Sequence, residues 1–184
     1  LTNSDSIVSD EPELLENITS GVPRLKDITS LYEDKLLPLY KCYSLEKILH
    51  DALSPHAWLK SGAYLIIEPT EALTVIDVNT GKFDGNKKNR EDTFLKINLE
   101  AAAEICRQLR LRNISGIIIV DFINMENPEN NSSIIEFLKA ELAKDPVPSF
   151  FIEMTKLGLV EITRKKIKKP LHEAFSHNFH KNYS

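Results

Sequence analysis

Two aspartates stand where chemistry gathers in α/β proteins. Asp77 follows Leu73-Thr74-Val75-Ile76, and Asp121 follows Ile117-Ile118-Ile119-Val120. Each carboxylate thus ends an apolar, β-branched run that reads as a strand. Between them lie one loop and one long helical pattern, the right content for a crossover joining parallel strands. Neighbouring strands would bring the two ends within about 5 Å, and one intervening strand within about 10 Å. A single hydrated ion bridges either spacing. Two close carboxylates repel, so such a pair needs a cation or a shared proton. Oxygen donors with no adjacent His or Cys favour Mg²⁺ or Mn²⁺ over Zn²⁺. Mg²⁺ keeps several waters and commonly meets a phosphate, which points to phosphodiester chemistry. Asn79, two residues past Asp77, can add a carbonyl oxygen or hold a water. Strand-end aspartates also begin turns with no metal involved, so spacing alone leaves both readings standing.

The elements that must position this pair are legible in outline. Ala57-Trp58-Leu59, Ala63 to Glu68 and Ala72 to Val78 read as strands in a meander, separated by Ser61-Gly62 and Pro69-Thr70-Glu71. Residues 79–90 are rich in Gly, Asn and Lys and read as an exposed loop. Glu91 to Arg112 is the clearest helix. Leu95, Leu99, Ala102, Ala103, Cys106 and Leu109 recur at three- and four-residue steps, with acids early and arginines late, as the helix dipole favours. Ile117 to Val120 reads as a buried strand. Asn127 to Asn131 reads as a turn and Ser132 to Ala143 as a second helix. Phe150 to Met154 and Leu159 to Thr163 add two strands around Lys156-Leu157-Gly158. Upstream, Pro12 opens a short helix with Asp10 as its expected N-cap, Asp27 to Glu33 has a brief helical pattern, and Leu45, Ile48, Leu49 and Ala52 share one helical face.

The chain has 184 residues, 42% hydrophobic and 27% charged, which excludes wholesale disorder and allows one real core. Its apolar runs are far too short to span a bilayer. No signal peptide is visible, although a chain opening on Leu1 reads as a cut piece. Cys42 and Cys106 form no C-x-x-C pair, so a disulfide framework and a cysteine zinc site are both unexpected. The formal charge is −4, and all of that excess lies in residues 1–60. Elsewhere the charges balance but cluster. Lys82, Lys87, Lys88 and Arg90 crowd the loop after Asn79, and Arg164 and Lys165 follow the last strand. These clusters are either phosphate contacts or solvated surface. Trp58 and the strand aromatics are expected in the core. His50 and His56 read as ordinary side chains, and His172, His177 and His180 as a frayed tail.

Strings of residues along the chain carry a resemblance. They are Ser61-Gly62-Ala63-Tyr64, Thr70-Glu71-Ala72-Leu73, Ile76-Asp77-Val78-Asn79-Thr80-Gly81, Asn98-Leu99-Glu100-Ala101-Ala102, Arg107-Gln108-Leu109-Arg110-Leu111-Arg112, Gly116 through Ile123, and Lys156 through Glu161 with Thr163-Arg164-Lys165. In that order they resemble the catalytic core of the bacterial ribonuclease E/G family. The resemblance implies an α/β chain of mixed α+β type. Residues 57–170 would form a deoxyribonuclease-I-like mixed sheet with flanking helices. Residues 1–56 would form a partial ribonuclease-H-like segment, with Pro38-Leu39-Tyr40 and Tyr43-Ser44-Leu45-Glu46 carrying the weaker match. Residues 171–184 would be a poorly ordered tail. It further implies a cytoplasmic endoribonuclease of RNA processing and decay. Such an enzyme cuts single-stranded RNA with Mg²⁺, or Mn²⁺ in its place, to give a 5′-phosphate and a 3′-hydroxyl. Asp77 and Asp121 would be its catalytic metal ligands and Asn79 their support. Lys82, Lys87, Lys88, Arg90, Arg164 and Lys165 would be its RNA contacts.

The chain departs from the family's pattern at Asn124, where Asp is usual, at Ile97, where Thr is usual, and around Pro146-Val147-Pro148, where a basic residue is expected. The cysteine pair of the family's zinc-linked homo-oligomer does not appear after Lys169, so no zinc is expected here. The N-terminal oligonucleotide-binding and 5′-end-sensing parts have no counterpart in these residues. The rival reading is a non-catalytic RNA-binding or assembly module with a residual metal site, and a metal-dependent deoxyribonuclease or phosphatase is a third.

Overall fold

A computed structural model of the protein describes residues 6–81 and 90–179, and the chain divides into two compact units at the His50–Asp51 boundary. In the first unit, β1 (Ile7–Ser9) and β2 (Thr29–Leu31) pair in parallel, Ile7 opposite Thr29. Helix α1 (Pro12–Gly21) and a 3₁₀ turn (Pro23–Ile28) connect them, and α2 (Leu39–Cys42) follows. Pro12 does open α1, where its missing N–H costs nothing. Asp10 is not the cap. Glu11 holds the N-cap position with no side-chain cap, and its N–H donates to the Ser9 hydroxyl at 3.0 Å. The helical pattern expected from Asp27 to Glu33 also gives way after Ile28, where the 3₁₀ turn ends and β-branched Thr29 enters β2 in extended conformation. Helix α3 (Leu45–Leu53) spans the boundary and carries the expected periodicity.

The second unit is built on six strands: β3 (His56–Trp58), β4 (Tyr64–Pro69), β5 (Leu73–Asn79), β6 (Gly116–Asp121), β7 (Ser149–Met154) and β8 (Leu159–Arg164). Their order in the sheet is β3-β4-β5-β6-β8-β7. Every neighbouring pair is antiparallel except β5 and β6, which run parallel. The crossover between those two is α4 (Arg90–Leu111), as the long helical pattern required. Helix α5 (Pro128–Leu142) then leads to β7. It begins a turn earlier than the sequence pattern suggested. Asn127 is its N-cap, accepting the Glu129 N–H at 3.0 Å, and Pro128 occupies the first turn.

Alternation decides which way each strand faces. Leu65, Ile67, Ile76, Val78, Ile118, Val120, Val160 and Ile162 are buried. They join Ile97, Ala101, Ala102, Ile105 and Leu109 of α4, and Ile134, Leu138 and Leu142 of α5, in one hydrophobic cluster. Helices thus cover one face of the sheet. The opposite face carries the intervening residues and leaves Val75, Ile117, Phe150 and Ile152 exposed. An α/β class with a mixed sheet and flanking helices is therefore the observed architecture.

The tail after Pro170 starts with α6 (Leu171–Phe179), whose first N–H donates to the Arg112 carbonyl at 2.8 Å. Arg164, expected as an RNA contact, is 4% exposed. Its Nε donates to Asp145 Oδ2 at 2.9 Å, and its Nη1 donates to Asn113 Oδ1 and the Ile114 carbonyl. Burial alone would raise the Asp145 carboxyl. The Arg164 guanidinium, the Val147 N–H and the Ser149 hydroxyl outweigh it and hold the group below its ordinary 3.8. The pair locks the end of β8 to the loop before β7, which is work inside the fold.

Removing one partner of a buried ion pair strands the other charge. Asp145→Asn should therefore destabilise the second unit by about 3–5 kcal/mol in urea unfolding at neutral pH. Because folding lowers this pKa, the carboxylate's contribution is full above the ordinary value and disappears as pH falls through the lowered one. The difference between wild type and variant should thus shrink only below about pH 3.8. A variant that unfolds like wild type at neutral pH would show that the pair contributes nothing.

Candidate active site

Asp77 and Asp121 are registered neighbours across β5 and β6. They are the last registered pair of the parallel β5–β6 ladder, which continues from Ile76 opposite Val120. Adjacent strands lie about 4.8 Å apart, so the nearer of the two expected spacings is the one realised. Registered residues of neighbouring strands share a face. Both carboxylates therefore lie on the open side of the sheet, Asp77 half-buried and Asp121 exposed. Asn79 shares that face, and its Nδ2 donates to Asp77 Oδ2 at 2.7 Å. This fixes one carboxylate rotamer and uses the amide's nitrogen, not its oxygen.

Among the described residues no basic side chain forms an ion pair with either aspartate, and no third His, Cys, Asp or Glu completes a cluster. Two hard oxygen donors on a solvent-facing sheet suit a cation that keeps much of its hydration, as Mg²⁺ does. They do not suit a closed four-ligand zinc site.

The segments bearing the pair are held from α4. Asn98 is fully buried. Its Nδ2 donates to the Ile123 carbonyl at 2.8 Å, and its Oδ1 accepts the Ile123 N–H at 3.0 Å. One side chain thus satisfies both backbone groups of the residue two past Asp121, just where the ladder ends. Two positions along, Glu100 Oε1 accepts the Lys60 and Ser61 N–H groups at 2.7 and 3.3 Å, which fixes the β3–β4 turn. That turn abuts the chain leaving Asn79. Gly81 has φ +66°, and a Cβ there would sit 2.6 Å from the Gly62 carbonyl oxygen. Only glycine fits, for both reasons. At the head of α4, the Glu91 carboxylate accepts the Glu126 and Asn127 N–H groups and the Asn130 amide. The Asn127 N–H leads in lowering its pKa. The Asn98-Leu99-Glu100 string is therefore a bracket that grips both sides of the carboxylate pair. The mark of that role in the sequence was an uncharged amide on the apolar face of a helix.

Other expected residues fall differently. Lys82, Lys87 and Lys88 lie outside the described residues. Arg90 begins α4, exposed, with its guanidinium 5.0 Å from the Phe94 ring centroid. Lys165 is exposed after β8, whereas Arg164 is interior, as described above. Ile97 is buried among the core side chains, and Asn124 is exposed on the segment following Asp121. Trp58 corrects the expectation of a core residue. Ala57 takes the buried position of β3, and Trp58, on the other face, is 69% exposed. A cavity of about 350 Å³ lies at the far end of the same strands, lined by Leu73, Gly116, Arg112 and Lys166, and neither aspartate borders it.

A sequence model of the Ribonuclease E/G family matches residues 2–167. The chain belongs to the ribonuclease E/G family. It is 46% identical over 138 residues to Ribonuclease E of Nostoc sp., covering 75% of this chain and 20% of that one. It is 42% identical over 159 residues to Ribonuclease G of Haemophilus influenzae, and 40% identical over 158 residues to Ribonuclease G of Escherichia coli K12. Each of those matches covers 86% of this chain and 32% of the relative. The chain thus spans a fifth to a third of the length of these ribonuclease E/G relatives. No helix among its described residues is long and apolar enough to cross a membrane.

The bracket can be tested without any ligand. Asn98→Ala leaves the partly buried Ile123 N–H and carbonyl without that partner, at up to about 1–3 kcal/mol for each unsatisfied group. Urea unfolding should show that loss, and amide exchange at Ile123 should accelerate by more than global destabilisation explains. Unchanged protection at Ile123 would rule the bracket out.

Proposed function

We propose that this chain carries the catalytic centre of an endoribonuclease. Its reaction is hydrolysis of phosphodiester bonds in single-stranded RNA with Mg²⁺, leaving a 5′-phosphate and a 3′-hydroxyl, in cytoplasmic RNA processing and decay. The observation that carries this reading is the registered opposition of Asp77 and Asp121 at the end of a parallel strand pair. Membership of the ribonuclease E/G family supports the substrate class.

Asp77 and Asp121 would hold the cation between them, and its charge would relieve the repulsion that their register imposes. When bound, Mg²⁺ supplies a water activated for attack and neutralises charge on the phosphate. The chain's own contribution is placement. Asn79 holds the Asp77 carboxylate, Asn98 fixes the backbone beyond Asp121, and Gly81 lets the chain leave Asn79 against the β3–β4 turn. Lys165 and Arg90 are exposed cations that can meet the sugar–phosphate backbone, and their contribution should weaken with salt.

Asp77→Asn and Asp121→Asn keep side-chain size and remove one negative charge each. Either should lower Mg²⁺-dependent cleavage of a single-stranded RNA by about 100-fold or more, the scale of several kcal/mol of lost charge stabilisation. Asn79→Ala, acting through Asp77, should cost about 10–100-fold and raise the Mg²⁺ concentration needed. Cleavage that survives both aspartate changes would refute the site. RNA binding without cleavage in the wild type would favour the non-catalytic module instead. Hydrolysis of DNA or a phosphomonoester in preference to RNA would reassign the substrate.

A further inference from the structure

Trp58 is an exposed indole on the face that holds the carboxylates, and the sheet register places it. Trp58 is opposite Tyr64, and Tyr64 is opposite Asn79, so the three residues form one row across β3, β4 and β5. The next row runs from His56 through Ile66 to Asp77 and Asp121. Two strand spacings separate Trp58 from Asn79, and two residues along β5 separate Asn79 from Asp77. The Trp58 backbone is thus about 12 Å from that of Asp77. About four nucleotides stacked at about 3.4 Å each cover that distance, and fewer cover it when the strand is extended.

The rings are already oriented. Tyr64 lies between two others, its centroid 5.1 Å from the Trp58 ring at 50° and 5.7 Å from the His56 ring at 39°. Tilted pairs of this kind are favourable in themselves and limit the freedom of the indole. Yet Trp58 stays 69% exposed while its neighbour Ala57 takes the core position. The largest apolar side chain of the strand is therefore spent on solvent, beside the candidate catalytic row. An aromatic face next to a phosphate-binding centre fits a nucleobase, because every base offers a π face to stack on.

We propose that Trp58, supported by Tyr64, is a base-stacking subsite that holds one nucleobase of a single-stranded RNA a few nucleotides from the Asp77–Asp121 pair. The substrate class comes from the endoribonuclease reading above. The subsite sets where the strand lies on the sheet, and stacking makes it tolerant of base identity.

Trp58 is the only tryptophan in the chain, so its fluorescence reports the subsite directly. The chain is titrated with oligo(U) and with an abasic oligoribonucleotide of equal length, without divalent cations so that nothing is cut. The expected result is quenching by oligo(U) but not by the abasic strand. Trp58→Ala should weaken oligo(U) binding about tenfold, measured by anisotropy of a labelled strand, and Trp58→Phe should recover most of it. Equal quenching by both strands, no quenching by either, or unaltered affinity in Trp58→Ala would overturn the subsite. If Trp58 only buttressed the β3–β4 pair, its removal would lower thermal stability and leave affinity alone, which also overturns it. Base-dependent quenching in a chain that never cleaves RNA would keep the subsite and discard the ribonuclease reading. Aspartate-dependent cleavage with a silent tryptophan would do the reverse.

Discussion

Two carboxylates of like charge, one strand apart, are the constraint on which the rest of the second unit turns. The β5–β6 ladder puts Asp77 opposite Asp121 and gives neither an escape by register, since a one-residue slip would turn every buried side chain of the strand out of the core. Ile76 and Val120, both fully buried, fix the pair immediately before the aspartates. The hydrophobic core thus fixes the register that sets two acidic residues side by side at its edge. Such an arrangement suits the cation proposed for it.

The same logic explains which residues stand near the pair without belonging to it. A parallel ladder ends abruptly, and the backbone beyond it has lost its partners. Asn98 replaces those partners at Ile123, Glu100 does the same for the 60–61 turn, and Glu91 for residues 126 and 127. All three project from one helix, the crossover that made the strands parallel in the first place. Topology and site support are therefore one device: α4 sets strand direction, covers the core, and carries the groups that hold the loops around the carboxylates.

Much of this was legible in the residues. The six apolar or β-branched runs all became strands, because Gly, Pro and polar clusters marked their limits. The crossover followed from the length of the helical pattern, and the convergence of Asp77 and Asp121 followed from the crossover. Strand order was not legible. No local signal says that β8 inserts between β6 and β7, since that depends on packing among segments far apart in sequence. Arg164 misled for the same reason, its partner Asp145 lying nineteen positions away and answering a charge that looked solvated. Trp58 misled because β3 is three residues long, too short for alternation to show which side is inward. The Asn127-Pro128 start of α5 was missed because Pro and Asn suggest a turn as readily as a cap.

The crossover also has a consequence in time. Asp77 and Asp121 lie at the ends of the two strands of a β-α-β unit, so Asp77 has no counterpart until α4 and β6 have been synthesised. A ribosome must release α4 and all of β6 before the two oxygens can meet, and β8 must follow to complete the flank of β6. The centre is consequently born late and all at once. A nascent or truncated chain ending before Asp121 holds every residue of the first strand and none of the paired geometry.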